Sequence, residues 1–253
     1  MSDVFILVQL SDPHLGAVWA DSDPVAGLSA TVEAVRGMQP RADAVLVSGD
    51  LADNATEAEY EQVHELLDRL DTPLYVLPGN HDDRKTLRQR FGLPGADSDP
   101  VRYAADLGPL RLVLIDTTRP GEDAGGLDKE QLDWLESELA VAPSTPTVLA
   151  MHHPPLVTGV PAWDEICLPA GDRHALNDVL ERHSEVQRIV AGHLHCAITG
   201  ELAGRPVLTA PSTYVQAQLE FGSREIKLTA GPPGFTVHAF IAGRLISHNQ
   251  SVS

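Results

Sequence analysis

The sequence predicts an α/β protein arranged as a four-layer α-β-β-α sandwich, with two mixed sheets flanked by helices. Three observations carry that prediction. Up to about residue 195, short runs rich in β-branched residues alternate with segments of helical spacing. From about residue 196 the runs are joined by hairpin-like turns instead. Five of the runs also stop abruptly at Asp, Asn or His, which suits parallel strands whose carboxyl ends share one site.

Element by element, VFILVQL at 4–10 has the length and composition of a buried strand. Segment 24–38 places Val25, Leu28, Val32 and Val35 on one helical face and stops before Pro40. A strand at 44–47 precedes a helix at 56–70, where Thr56 and Glu59 have the form of a capping box. A strand at 74–77, a short helix at 83–91 and a strand at 110–115 follow. The helix at 128–139 carries Leu132, Leu135 and Leu139 on one stripe. A strand at 147–151, a helix at 172–182 and a strand at 188–191 complete the alternating part. Beyond Cys196, strands are expected at 197–202, 206–208, 235–241 and 244–248, with Gly204-Arg205 and Ala242-Gly243 as turns. Segment 222–233 reads as a mobile excursion. All of 1–253 is expected to form one domain with a hairpin-rich C-terminal part.

Bulk composition narrows the function classes. A hydrophobic content of 43% with 21% charged residues is that of a globular protein with a sizeable core. The net charge of -18 argues against binding a nucleic-acid polymer, which needs a basic surface. It leaves a phosphate substrate open, because bound cations dominate the local field of a site. No run approaches the roughly 18–20 apolar residues of a membrane span, and no membrane association is expected. The first run is short and lacks a basic leader, so no signal peptide is read and a cytoplasmic location is expected. Cys167 and Cys196 form neither a disulfide framework nor a zinc-knuckle spacing, which fits a reducing compartment.

The chemistry lies at the strand ends. The runs lead into Asp12-Pro13-His14, Gly49-Asp50-Leu51-Ala52-Asp53, Gly79-Asn80-His81-Asp82, His152-His153 and Gly192-His193-Leu194-His195. A single polar residue at a strand end is usually a cap or a turn residue. Five strand ends offering only Asp, Asn and His describe a shared site, most simply for two metal ions. Asp12 with His14, and His193 with His195, are two apart, so strand alternation would aim each pair the same way. Cys196 would then point elsewhere, and His153 would point away from His152 into a supporting or substrate-wall position. Asp50, whose carboxylate can bridge two cations, is the natural bridge. Asp53 is expected to orient a ligand or a turn, and Asp116 to serve a structural turn. His64, His174, His183, His238 and His248 read as surface or packing residues.

The ordered pattern Asp-x-His, Gly-Asp-x-x-Asp, Gly-Asn-His-Asp, a strand-end His and Gly-His-x-His resembles the calcineurin-like metallophosphoesterases across Asp12–His195. Gly-Asn-His-Asp-Asp at 79–83 and His152-His153-Pro154-Pro155 resemble, within that group, class III cyclic-nucleotide phosphodiesterases and related glycerophosphodiesterases. The resemblance implies one metal held by Asp12, His14, Asp50 and His195, and a second held by Asp50, Asn80, His152 and His193. It implies phosphodiester hydrolysis, with cyclic nucleotides (2′,3′ or 3′,5′) as first substrates, by attack of a metal-bridging hydroxide. The alternatives are a phosphomonoesterase, nucleotide pyrophosphatase or glycerophosphodiesterase on the same metals, and more remotely a non-catalytic metal-binding module.

Two divalent ions, Asp12, Asp50 and a bridging hydroxide leave a net charge of about +1, which suits a singly charged diester. His81, beside Asn80, is the expected catalytic residue, steadying phosphorane charge or protonating the leaving oxygen. Nitrogen and oxygen donors admit Mn, Fe, Zn or Co, and the resemblance favours Mn or Fe. Substrate walls are expected from 17–24, 119–126 and 156–173, where Arg119, Trp163 and Arg173 are weighed as phosphate or base contacts against plain loop surface. A homodimer is expected by family analogy alone.

Overall fold

Capped helices between buried strands put two sheets back to back in the computed structural model, which describes residues 4–252. The chain runs β1 (Val4–Leu10), α1 (Pro24–Arg36), β2 (Ala44–Ser48), α2 (Glu57–Asp68), β3 (Leu74–Leu77) and α3 (Arg84–Phe91). It continues with β4 (Tyr103–Asp106), β5 (Arg111–Leu114), α4 (Lys129–Leu139), β6 (Thr147–Ala150), α5 (Pro161–Asp164), α6 (Ala170–Glu181) and β7 (Val186–Ala191). The last part holds β8 (Thr199–Leu202), β9 (Arg205–Thr209), β10 (Gln216–Ala217), β11 (Leu228–Thr229), β12 (Gly234–Ile241) and β13 (Arg244–Ser251).

One sheet has the order β13-β12-β1-β2-β3, with β1, β2 and β3 parallel and β12 and β13 antiparallel. The other has the order β4-β5-β6-β7-β9-β8, with a parallel centre from β5 to β9 and antiparallel edges. Apolar residues fill three interlayer spaces. Val8, Leu10, Leu28, Val32, Val63 and Leu67 pack α1 and α2 onto the first sheet. Leu7, Leu46, Leu112, Leu114 and Val148 fill the seam between the sheets. Leu135, Leu139, Leu176, Leu180 and Ile189 pack α4 and α6 onto the second. The layers are therefore α-β-β-α, as the sequence predicts.

The helix starts follow their capping residues. Asp23, Asp83 and Asp128 accept hydrogen bonds from first-turn amides, and Thr56 and Glu59 form the reciprocal capping box. Replacing such a cap by alanine typically costs about 1 kcal/mol.

Four expectations need correction. The β8–β9 turn is Ala203-Gly204 rather than Gly204-Arg205, because Leu202 pairs with Arg205 and both turn residues have positive φ (50° and 72°). Strand β4 was not expected: Tyr-Ala-Ala-Asp lacks an apolar run because this edge strand is only half buried. The Tyr103 hydroxyl fixes it across the seam, accepting from Val76 N (3.0 Å) and donating to Val76 O (2.8 Å). The single turn α5 also lay below what periodicity reveals. Segment 222–233 is not simply an excursion, since it contains β11, which pairs with β10. No helix among the described residues is long and apolar enough to cross a membrane.

Candidate metal centre

Strands β1, β2 and β3 of one sheet and β6 and β7 of the other carry their carboxyl ends to the same edge of the seam. The five motif segments meet there. The first cluster is Asp12, His14, Asp50 and His195, all buried. His14 Nε2 lies 3.3 Å from Asp50 Oδ2 and 3.0 Å from His195 Nε2, and His195 Nε2 lies 3.8 Å from Asp12 Oδ1. The same Asp50 oxygen lies 3.3 Å from His152 Nε2, which is 3.2 Å from Asn80 Oδ1 and 3.2 Å from His193 Nδ1. Asp50 thus stands between two donor groups.

Strand alternation is not what aims the paired residues. Strands β1 and β7 end before them, and Asp12, His14, Asp50, His193 and His195 have φ of 52°, 45°, 52°, 72° and 48°. Left-handed backbone is costly for residues with a Cβ, typically 1–3 kcal/mol each, and it clusters at functional sites. Here it turns side chains inward from loops that a pleat would splay. Cys196 lies outside the donor cluster, packed near Cys167 and Trp163.

The motif glycines allow the loops to touch. A Cβ at Gly79 would stand 2.1 Å from Asp50 Oδ1, one at Gly192 would stand 2.1 Å from Ser11 Oγ, and one at Gly49 would stand 2.3 Å from His152 Nδ1.

Hydrogen bonds on the outer ring atoms fix the tautomers. His152 Nδ1 donates to Ser48 O (2.8 Å), His195 Nδ1 to Val215 O (3.0 Å) and His193 Nε2 to Ile166 O (3.1 Å). A carbonyl only accepts, so the opposite nitrogens of these rings point inward as lone pairs. His14 Nδ1 donates to Asp53 Oδ1 (3.2 Å) and presents Nε2 inward in the same way. Lone pairs facing each other at 3.0–3.2 Å repel unless a proton or a cation lies between them. The donor set therefore fits metal ions chemically.

The titration pattern agrees. Burial pushes His152 down, but Asp50 outweighs it and raises the ring to about 9. His14 is raised against its burial by Asp50 and Asp53. Burial holds His193 well below the ordinary histidine value and brings His195 to about 4. Asp50 stays well below the carboxylate range, because His152 and His14 outweigh its burial.

His81 borders the cluster with its side chain 30% exposed. Its amide donates to Asp50 Oδ1 (2.9 Å), its Nδ1 lies 3.1 Å from Asp53 O, and its ring stands 4.7 Å from that of His14. Asp53 touches both His14 and His81, which matches the orienting role expected of it. His153 departs from expectation. It does not turn away from the cluster, because β6 ends at Ala150, and its ring lies 4.8 Å from His152 and 4.5 Å from His193. Thr117 Oγ1 holds its Nδ1 at 2.8 Å. Asp116 accepts from Val101 N and Thr118 N and pairs with Arg84, a structural turn as read.

The cavity over the cluster is lined by Trp19, Asp123, Trp163, Ile166, Ile226 and Leu228 among others. Trp163 was anticipated. Arg119 pairs with Asp172, and Arg173, on α6, bonds the Leu168 carbonyl, so both are tied into local structure here. Sequence reasoning missed Trp19, whose ring lies 4.6 Å from that of His14, although it falls within an anticipated wall segment. It also missed Ile226 and Leu228, which the β10–β11 pairing brings over the site.

A four-layer sandwich with two donor groups sharing one carboxylate at the sheet seam defines a metal-dependent phosphoesterase. Residues 6–197 match the description of the calcineurin-like phosphoesterases, and the chain belongs to that family. It is 31% identical over 256 residues to the glycerophosphodiester phosphodiesterase GpdQ of Enterobacter lignolyticus, covering 98% of this chain and 91% of that one. It is 37% identical over 220 residues to a probable cyclic nucleotide phosphodiesterase of Rhodococcus erythropolis (83% and 71% covered). It is 32% identical over 217 residues to the 3′,5′-cyclic adenosine monophosphate phosphodiesterase CpdA of Escherichia coli (83% and 76% covered). In fold it is similar to a dimetal phosphatase from Danio rerio (TM-score 0.70, 18% identity, 98% and 99% covered).

Proposed function

We propose that this chain hydrolyses phosphodiesters, with cyclic nucleotides as its substrates, at a dinuclear centre. In this reading Asp12, His14, Asp50 and His195 hold one metal, and Asp50, Asn80, His152 and His193 hold the other. Manganese or iron is favoured, and zinc or cobalt suit the same nitrogen and oxygen donors. When bound, two such cations supply a water deprotonated near neutral pH and polarise the phosphoryl oxygens.

The observation that carries the diester reading is the charge of the site. Two divalent cations against Asp12, Asp50 and a bridging hydroxide leave about +1. The Asn80 amide adds no charge, Asp123 on the cavity wall lowers the remainder further, and no lysine or arginine lines the cavity among the described residues. A singly charged diester is balanced there, whereas a doubly charged monoester is not. His81 donates through Nδ1 to the Asp53 carbonyl, with Asp53 Oδ1 beside it, which leaves its Nε2 for the cavity that the residue lines. From there it steadies charge on the phosphoryl group or protonates the leaving oxygen. Trp19 and Trp163 offer flat apolar surface to a base.

The test is a metal-reconstituted screen over 2′,3′- and 3′,5′-cyclic nucleotides, glycerophosphodiesters and p-nitrophenyl phosphate. The reading expects kcat/KM for a cyclic nucleotide to exceed that for the monoester at least tenfold. A monoester turned over faster than every diester overturns it.

A further inference from the structure

In a chain with 36 acidic and 18 basic residues, an arginine is expected to find a carboxylate. Arg84, Arg102 and Arg119 do so, at 2.8, 2.6 and 2.9 Å. Arg188, Arg205 and Arg244 do not pair with any acid among the described residues, yet they line one open depression of about 580 Å³. It lies between the tips of the β8–β9 and β12–β13 hairpins, at the amino end of β7. His193 follows the other end of that strand. Five residues of extended chain separate it from Arg188, roughly 16 Å, so the depression is distinct from the metal centre.

The heads of Arg188 and Arg205 are held by neutral groups, while Arg244 is exposed at the rim. Arg188 Nη2 donates to Leu245 O (3.0 Å) and Nη1 to Ser247 Oγ, while its Nε is buried without a partner. Arg205 Nη2 donates to His183 O (3.1 Å). Gln187 Nε2 donates to Gly243 O (3.3 Å), tying β7 to the second hairpin tip. These bonds orient the guanidinium groups of Arg188 and Arg205 without neutralising them. Burial pushes the Arg188 guanidinium down, with no carboxylate to offset it.

We propose that Arg188, Arg205 and Arg244 form a second anion site that takes a small phosphate-bearing ligand. Planar guanidinium forks match phosphate oxygens in pairs, and Ser184 and Gln187 add neutral donors to the same concavity. Three arginines around one open depression suit a compact anion that several guanidinium forks can reach at once. The site is independent of the diester reading, and its ligand need not be a substrate.

The test is calorimetric titration of zinc-loaded protein with inorganic phosphate, together with the amide NMR signals of Gly204 and Gly243. Two binding events are expected, one at the metal centre and one that shifts those two amides. Arg205→Ala and Arg244→Ala each weaken the second event at least tenfold and leave kcat on bis(p-nitrophenyl) phosphate within twofold. A single event in the unaltered protein, or a second event insensitive to both substitutions, overturns the proposal. So does saturation by a hexaglutamate peptide with no response to phosphate, which would point to a protein partner.

Discussion

One oxygen of Asp53, Oδ1, lies 3.2 Å from Nδ1 of His81, and the same atom lies 3.2 Å from Nδ1 of His14. A single carboxylate therefore orients both a proposed metal ligand and the proposed catalytic residue. Asp53→Asn keeps the shape and removes the charge. Loss of such an outer partner typically costs 10–100-fold in metal affinity or activity. We expect kcat to fall at least tenfold, with the metal at the His14 position binding more weakly. Unchanged kcat and metal affinity contradict that role.

His81 contacts the cluster through its backbone amide and through Asp53, and its ring stands beside that of His14. His81→Ala is expected to retain both metals by elemental analysis while losing kcat by roughly 10²–10⁴-fold. Loss of metal along with activity would make it a ligand instead.

Gly79 has no room for a side chain, since its Cβ would stand 2.1 Å from Asp50 Oδ1 and 2.4 Å from Asp50 N. Asp50 cannot move aside without leaving the donors on either side of it. Gly79→Ala is expected to lower metal occupancy at both positions. The check is elemental analysis alongside circular dichroism, to show that the fold persists.

Metal uptake should release protons. In the metal-free protein His152 is raised to about 9, so it is charged at pH 7.5, and a charged ring cannot bind a cation. Its folded value lies above the unfolded 6.5, so its contribution to metal-free stability is complete below about 6.5 and is lost as pH rises through about 9. Apparent metal affinity should therefore climb by up to about tenfold per pH unit from about 6.5 to 9, then level off. Calorimetry in buffers of different ionisation enthalpy at pH 7.5 should show release of about one proton or more. No release contradicts the assignment.

Much of this arrangement was legible in the sequence, because the alternation of runs and helices fixes the layers and the strand ends name their polar residues. The mechanism of convergence was not legible. Two-residue spacing suggested a pleat, but His193 and His195 meet their partners through left-handed backbone, a conformation imposed by tertiary contacts. His153 was misplaced for a different reason: β6 ends at Ala150, so strand alternation no longer applies to it. Strand β4 gave no signal because it is a half-buried edge strand with no apolar run, paired to β5 and anchored by the Tyr103 hydroxyl across the seam. Ile226 and Leu228 lie in a stretch rich in Gly, Pro and charge whose place over the cavity depends on pairing with β10.

The central claim is that Asp50 stands between two metal ions. Anomalous diffraction from crystals grown with manganese tests it most directly. The account predicts two peaks about 3.5–4 Å apart, with Asp50 coordinating both, Asp12, His14 and His195 around one, and Asn80, His152 and His193 around the other. A single peak, or a pair that Asp50 does not join, contradicts it.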